Sequence, residues 1–212
     1  SQYKQAYERF SYVEKSQAAK EDLKNMNLAC QNESTSPFTY GEIPFETVVE
    51  ILACLGTHGL SSEDAGTFFD IGSGAGSVVI AVGSQRRFNF QQIQGIELLP
   101  SLHSIAMQIL HTSKIRASFV NGSILDISCA DWTKGNVVVC NSTCFPLTLM
   151  DDISRLATFM LPGSFFVCLT NELSPSAGFS LLEELRLEYS WGEADTFVYV
   201  KANPSKEIIL KS

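Results

Sequence analysis

The heptad Asp70-Ile71-Gly72-Ser73-Gly74-Ala75-Gly76 constrains the fold more than any other stretch of the chain. An apolar run, Thr67 to Ile71, leads into it, and Ser77 to Ser84 follows with helical character. Glycines at a strand-to-helix turn let a ligand approach backbone N–H groups and a helix N-terminus without interference from Cβ atoms. Downstream the same alternation continues. Strands are expected at Gln92 to Leu98, Ala117 to Val120, Val137 to Cys140 and Ser164 to Thr170, with helices at Ser101 to Ser113 and Leu147 to Leu161. Strand and helix in turn require right-handed crossovers and a largely parallel sheet covered on both faces. The ending differs: Leu182 to Tyr189 and Thr196 to Ala202 read as two extended segments joined by Ser190 to Asp195, an antiparallel hairpin.

The spacing of the glycines separates two ligand classes. The dinucleotide fingerprint is G-x-G-x-x-G, whereas here the third glycine comes one residue early, the form more typical of S-adenosylmethionine sites. Charge points the same way: Asp70 precedes the loop, Glu42 lies on a neighbouring segment, and Glu97 ends the second strand. Clustered carboxylates suit a ligand carrying an ammonium and a sulfonium and oppose a pyrophosphate. Glu97, at a strand carboxyl end, can accept hydrogen bonds from ribose hydroxyls. The loop Gly122 to Asp126, after the third strand, lies where an adenine ring would be sandwiched.

Composition narrows the class further. With 212 residues, 45% apolar and 18% charged, the chain is globular. Its apolar runs, such as Val78 to Val82, fall short of the roughly 18 to 20 residues that cross a bilayer. The first residues carry no apolar signal core, so secretion is not expected. Fifteen basic against 23 acidic residues give a net charge of −8, which disfavours a freestanding nucleic-acid binder. The six cysteines sit mostly in apolar patterns and read as reduced thiols. Cys140 and Cys144 form the only close pair, without a histidine to complete a zinc spacing, so no metal is expected. Residues 2 to 29 read as one or two polar helices, ended by the loop Gln31 to Pro37. A further helix begins at Pro44 and stops at Gly56.

Five boxes in order carry a resemblance: Phe38-Thr39-Tyr40-Gly41-Glu42-Ile43-Pro44-Phe45, the glycine heptad, Gly95-Ile96-Glu97, Val139-Cys140-Asn141-Ser142-Thr143-Cys144-Phe145 and Ser190-Trp191-Gly192. Together they resemble the disruptor-of-telomeric-silencing family, the non-SET histone-lysine methyltransferases, with the last two boxes nearer its protist-like branch. The resemblance spans about residues 37 to 202. It implies a seven-stranded class I methyltransferase (Rossmann-like) sheet in an α/β domain, 37–212, preceded by an N-terminal helical extension, 1–36. It implies a loop, Thr39, Tyr40, Gly41, Glu42 and Ile43, folded over the methionine end of S-adenosylmethionine, with Glu42 taking the ammonium. Asp70, Gly72, Ser73, Gly74 and Ser77 would line the same end, Glu97 and Leu98 the ribose, and Ser123 and Ile124 the adenine. Ser123 departs from the family's aspartate, so Asp126 or water would meet the exocyclic amine instead.

By the same resemblance Asn141 stands beside the departing methyl group, and Trp191 with Tyr199 or Phe197 lines the channel that admits a lysine. Tyr40 could instead be an ordinary aromatic cover and Trp191 a hairpin core residue. The implied activity is methyl transfer to a lysine of the nucleosomal histone core, in the nucleus, leaving S-adenosylhomocysteine. Alternatives are another basic protein or small amine as acceptor, or a non-catalytic cofactor-binding module. DNA contact is expected to be weak and confined to the N-terminal helix (Lys4, Arg9, Lys15, Lys20, Lys24) and Arg86-Arg87.

Overall fold

The computed structural model describes residues 10–26 and 41–203. In chain order the elements are α1 (Tyr12–Asn25), α2 (Phe45–Thr57), β1 (Gly66–Ile71), α3 (Ser77–Ser84), β2 (Phe90–Glu97), α4 (Pro100–Thr112) and β3 (Ser118–Asn121). They continue with β4 (Val137–Cys140), α5 (Leu147–Ala157), β5 (Phe165–Leu169), β6 (Phe179–Tyr189) and β7 (Gly192–Lys201). The seven strands form one sheet in the order β3-β2-β1-β4-β5-β7-β6. The pairs β1–β2, β1–β4, β2–β3 and β4–β5 are parallel, while β7 runs antiparallel to both β5 and β6. The strand order reverses between β1 and β4, and the crevice outside the carboxyl ends of such strands is where open α/β sheets bind ligands.

Burial on both faces explains why the central strands are apolar without alternation. Val137 to Cys140 and Phe165 to Leu169 are buried throughout. One face packs against α2 and α3 through Leu52, Leu55, Val79 and Val82, meeting Phe68, Val137 and Val167 of the sheet. The other packs Phe69, Val138 and Phe166 against Trp132 and against Met150 and Ile153 of α5. A third cluster joins Ala19 and Leu23 of α1 to Leu102, Ile105 and Ile109 of α4 and to Ile80 of α3.

Three expected boundaries move by three residues or more, among them the start of β6, which lies at Phe179 and not Leu182. Helix α5 ends at Ala157, not Leu161. The N–H groups of Thr158, Phe159 and Met160 bond to carbonyls three residues back, tightening the end while Met160 tucks into the core. Pro162 follows, one residue beyond Leu161. The hairpin loop shrinks to Ser190 and Trp191, because Tyr189 already pairs with Gly192. Glu193 and Asp195 read as loop residues in sequence, yet they sit on β7 and hold Arg186 between them across the ladder.

Candidate active site

The glycine turn is built from backbone that L side chains rarely adopt: Gly72 has φ +80° and Gly76, which caps α3, has φ +88°. A Cβ on Gly72 would lie 3.0 Å from Cζ of Phe145. The turn is fixed from below by Glu97, whose Oε2 accepts from Gly74 N–H at 2.7 Å and whose Oε1 accepts from Leu99 N–H at 2.8 Å. Each carboxylate oxygen retains a second lone pair for a ligand hydroxyl. Burial raises the Glu97 pKa, and the backbone N–H groups pull against that rise.

Asp70 is buried beneath the same turn, 2% exposed, and its carboxyl group makes no hydrogen bond among the described residues. Burial, with the Glu97 carboxylate adding to it, pushes its pKa up to about 8. A buried carboxylate with no hydrogen bond among the described residues is costly to ionise, and a cation beside it would lower that cost.

Above the turn lies a cavity of about 490 Å³, within the size range of small-molecule sites. Gly41, Gly72, Gly74, Glu97, Leu98, Ser123, Ile124, Asn141 and Trp191 all line it, so the structure brings most of the residues expected from sequence to one place. Not every expected residue reaches the wall: Asp70 and Glu42 stand behind it. Ile43 is in the core with α2 and α3. Ser77 is buried in the first turn of α3, and the Ser73 hydroxyl is buried without a hydrogen-bond partner. Tyr199 and Phe197 belong to the core on the α5 face, and the Tyr199 hydroxyl donates to Glu172 at 3.1 Å. Thr39 and Tyr40 lie outside the described residues.

Glu42 and Asp126, both expected to meet the cofactor, have partners within the protein. Glu42 Oε1 accepts from Lys15 Nζ of α1 at 2.8 Å, and Lys15 is only 2% exposed. Lys15 is therefore not a surface cation available to phosphate, a correction to the expectation for the N-terminal helix. Lys20, Lys24, Arg86 and Arg87 remain exposed, while Lys4 and Arg9 lie outside the described residues. Asp126 turns away from the cavity: its carboxylate accepts from the Ser128 N–H and hydroxyl and from Cys129 Sγ.

One wall of the cavity is a loop tied to the end of β5. The Ser142 hydroxyl donates to Leu169 O, and Asn171 Nδ2 donates to Ser142 O at 2.7 Å. Thr170, at φ +67°, lies between these two tethers. Within the loop Thr143 Oγ1 donates to Asn141 Oδ1 at 3.0 Å, which orients the Asn141 amide, whose Nδ2 donates to no described residue. Trp191 is the second residue of the hairpin turn, 37% exposed and stacked on Tyr189 with ring centroids 4.9 Å apart. Its ring covers Gly41 so closely that a Cβ there would come 2.5 Å from Trp191 Cε3. Ser190 completes the joint: its Oγ accepts from Glu42 N–H at 2.9 Å and its N–H donates to Glu42 O.

Sequence reasoning missed several wall residues. Thr143, Cys144 and Phe145 lie within a box already recognised, so position beside Asn141 was the available signal. Leu99, Leu102, Leu125 and Leu149 carry no signal beyond apolarity. Tyr12 also lines the cavity, from a helix 85 residues upstream of Glu97.

A family model described as histone methylation protein DOT1 matches residues 20–176, well over half of the chain. The chain belongs to this family. Solved structures place its DOT1-family sheet among class I S-adenosylmethionine-dependent methyltransferase folds. An RNA methyltransferase from Salinibacter ruber in complex with S-adenosyl-L-homocysteine is 17% identical with TM-score 0.56, over 76% of this chain and 94% of that one. Magnesium protoporphyrin IX methyltransferase from Synechocystis PCC 6803 with bound S-adenosylmethionine is 14% identical with TM-score 0.55, over 95% and 90%. No curated protein matches the chain. Among the described residues no helix is long and apolar enough to cross a membrane, and no group of His, Cys, Asp and Glu could hold a metal ion.

Proposed function

We propose that this DOT1-family protein transfers a methyl group from S-adenosylmethionine to a lysine of the nucleosomal histone core, acting in the nucleus. The observation that carries the reading is the Glu97 carboxylate in the cavity wall, bonded to Gly74 of a positive-φ glycine turn, with the Asp70 carboxyl buried behind that turn on the adjacent strand. That donor set fits the cofactor. The buried Asp70 carboxyl, with no hydrogen bond among the described residues, suits a nearby ammonium or sulfonium, and the free lone pairs of Glu97 suit ribose hydroxyls. When bound, S-adenosylmethionine supplies a methyl group on a good leaving group.

The chain's own contribution is then alignment and desolvation, not nucleophilic catalysis. Gly72 and Gly74 let the ligand lie against the turn. Asn141, oriented by Thr143, offers its amide N–H groups at the acceptor side of the cavity. Trp191 and Phe145 supply apolar walls there. A lysine ammonium entering between such walls loses water, its pKa falls, and the proton leaves to solvent before the neutral amine attacks in line. Cys140 takes no part: it is fully buried, which pushes its thiol pKa well up.

Incubation with methyl-labelled S-adenosylmethionine tests the reading, with nucleosomes, free histones and an unrelated lysine-rich protein offered separately. Label on a nucleosomal core histone is the expected result. Equal labelling of the unrelated protein would favour a broader acceptor, and cofactor binding without transfer to any acceptor would favour a regulatory module.

A further inference from the structure

We infer that helix α1 is part of the cofactor site, with Tyr12 forming an aromatic cover over the adenine end of the cavity. The inference rests on the cofactor reading above and adds a residue to it. Tyr12 precedes the span matched by the family model, so family membership does not assign it.

The position of Tyr12 is set locally. Ser11 caps α1 reciprocally with Glu14, its hydroxyl accepting from Glu14 N–H at 3.2 Å and its own N–H donating to Glu14 Oε2 at 2.7 Å. The helix therefore begins at Tyr12. From there Lys15, Ala19, Asp22 and Leu23 follow at steps of three and four, a single helical stripe, and all four are buried. Tyr12 heads that stripe.

The stripe is anchored at both ends by polar contacts that fix which way it faces. Near the start, Lys15 reaches Glu42. Near the finish, Asp22 accepts from Ser101 N–H at 2.6 Å and from Ser101 Oγ at 2.8 Å, supplying in trans the cap that α4 lacks from its own N-cap residue, Leu99. Helix α4 starts three residues after Glu97, so α1 is docked on the element that follows the ribose-side acid. One turn ahead of the first anchor, Tyr12 lines the cavity, as do Leu98, Leu99, Leu102, Ser123 and Leu125. This end is predominantly apolar, and the carboxylate of Asp126 is committed elsewhere. A purine is held there by shape and by its faces, for which an aromatic ring at the mouth is the matching surface.

The test is calorimetry with S-adenosylhomocysteine and, separately, with adenosine, on wild type, Tyr12→Ala and Tyr12→Phe. Loss of one aromatic contact to a base weakens binding by about tenfold. Tyr12→Ala is expected to lose about that factor for both ligands, and Tyr12→Phe to retain wild-type affinity. Because Tyr12 is 47% exposed, its truncation leaves the core intact. Asp22→Ala, which removes the anchor on α4 without touching the cavity, is expected to weaken both ligands in the same direction. Wild-type binding with unchanged affinity in Tyr12→Ala would overturn the inference alone. Failure of the wild type to bind either ligand would overturn the cofactor reading and the inference with it.

Discussion

The floor and the cover of the cavity are built on different principles. The floor is local and covalently close: Asp70, the glycine turn and Glu97 stand at the ends of adjacent parallel strands, and the backbone itself supplies the hydrogen bonds. The cover is assembled from α1, the Gly41–Pro44 segment and the Ser190-Trp191 turn, which are far apart in sequence and meet through a few side-chain contacts. A site of this construction fixes ligand chemistry in its floor, and ligand access and fit in its cover. Damage to the floor should abolish binding, and damage to the cover should retune it.

The largest expected effect therefore falls on Glu97. Hydrogen bonds to a charged group contribute roughly 1.5 to 3 kcal/mol, so Glu97→Ala should weaken S-adenosylmethionine by about one to two orders of magnitude. The same change frees the N–H groups of Gly74 and Leu99, so the thermal transition should also fall. Calorimetry on protein checked for folding by circular dichroism decides the point. Unchanged affinity would remove Glu97 from the site and the floor from its assigned role.

Asp70 sharpens the contrast through pH. Its folded pKa, about 8, lies above the ordinary carboxylate value, so the folded state holds a proton that the unfolded state has released. Its contribution to stability is fully present below about pH 4 and is lost as pH rises toward 8. Asp70→Asn should accordingly stabilise the ligand-free protein at pH 8 and have little effect at pH 4. Ligand binding carries the opposite sign. A cation that prefers ionised Asp70 displaces the proton, so affinity should rise by up to about tenfold per pH unit between roughly pH 5.5 and 7.5. Asp70→Asn should flatten most of that rise, and a slope that survives intact would assign the titration elsewhere.

The same contrast explains what could be read from sequence. The strands Val137–Cys140 and Gly66–Ile71 and the turn between β1 and α3 were legible because their signals are local: continuous apolar runs, a glycine spacing, an acid at a strand end. The hairpin strands were legible too, but the polarity of Glu193 and Asp195 disguised cross-strand partners of Arg186 as a loop. Lys15 was misread as a surface cation, since nothing in an interleaved Lys/Glu pattern reveals a carboxylate 27 residues away. Tyr199 illustrates a different limit. Alternation puts Phe197 and Tyr199 on one face of β7, but only the packing of α5 decides that this face is core and not channel.

On the acceptor side, Asn141→Ala should reduce turnover by about tenfold while changing S-adenosylhomocysteine affinity by less than about threefold, because one neutral hydrogen bond contributes roughly 0.5 to 1.5 kcal/mol. Trp191→Ala should raise the acceptor KM more than it changes cofactor affinity, since the ring lies at the mouth and is 37% exposed. Steady-state kinetics set against equilibrium binding separates these outcomes. Equal losses in turnover and cofactor affinity would place either residue in the floor's role and erase the distinction between the two halves.

The smallest effect concerns DNA. Each neutralised phosphate contributes about 0.9 to the slope of log affinity against log salt. With Lys15 buried on Glu42, the exposed cations of α1 are Lys20 and Lys24, accompanied on the same helix by exposed Glu14 and Glu21. Nucleosome binding should be weakly salt-dependent, and replacing Lys20 and Lys24 together should lower the slope by about 1.8 at most. Lys15→Met should leave the slope unchanged and instead lower the thermal transition, because the Glu42 carboxylate loses its ion-pair partner. A Lys15→Met protein that melts as the wild type does but binds nucleosomes with a flatter salt slope would mean that α1 leaves the cavity to engage DNA. Tyr12 would then leave with it, and cofactor affinity should fall when nucleosomes are added, a coupling that calorimetry in their presence and absence would expose.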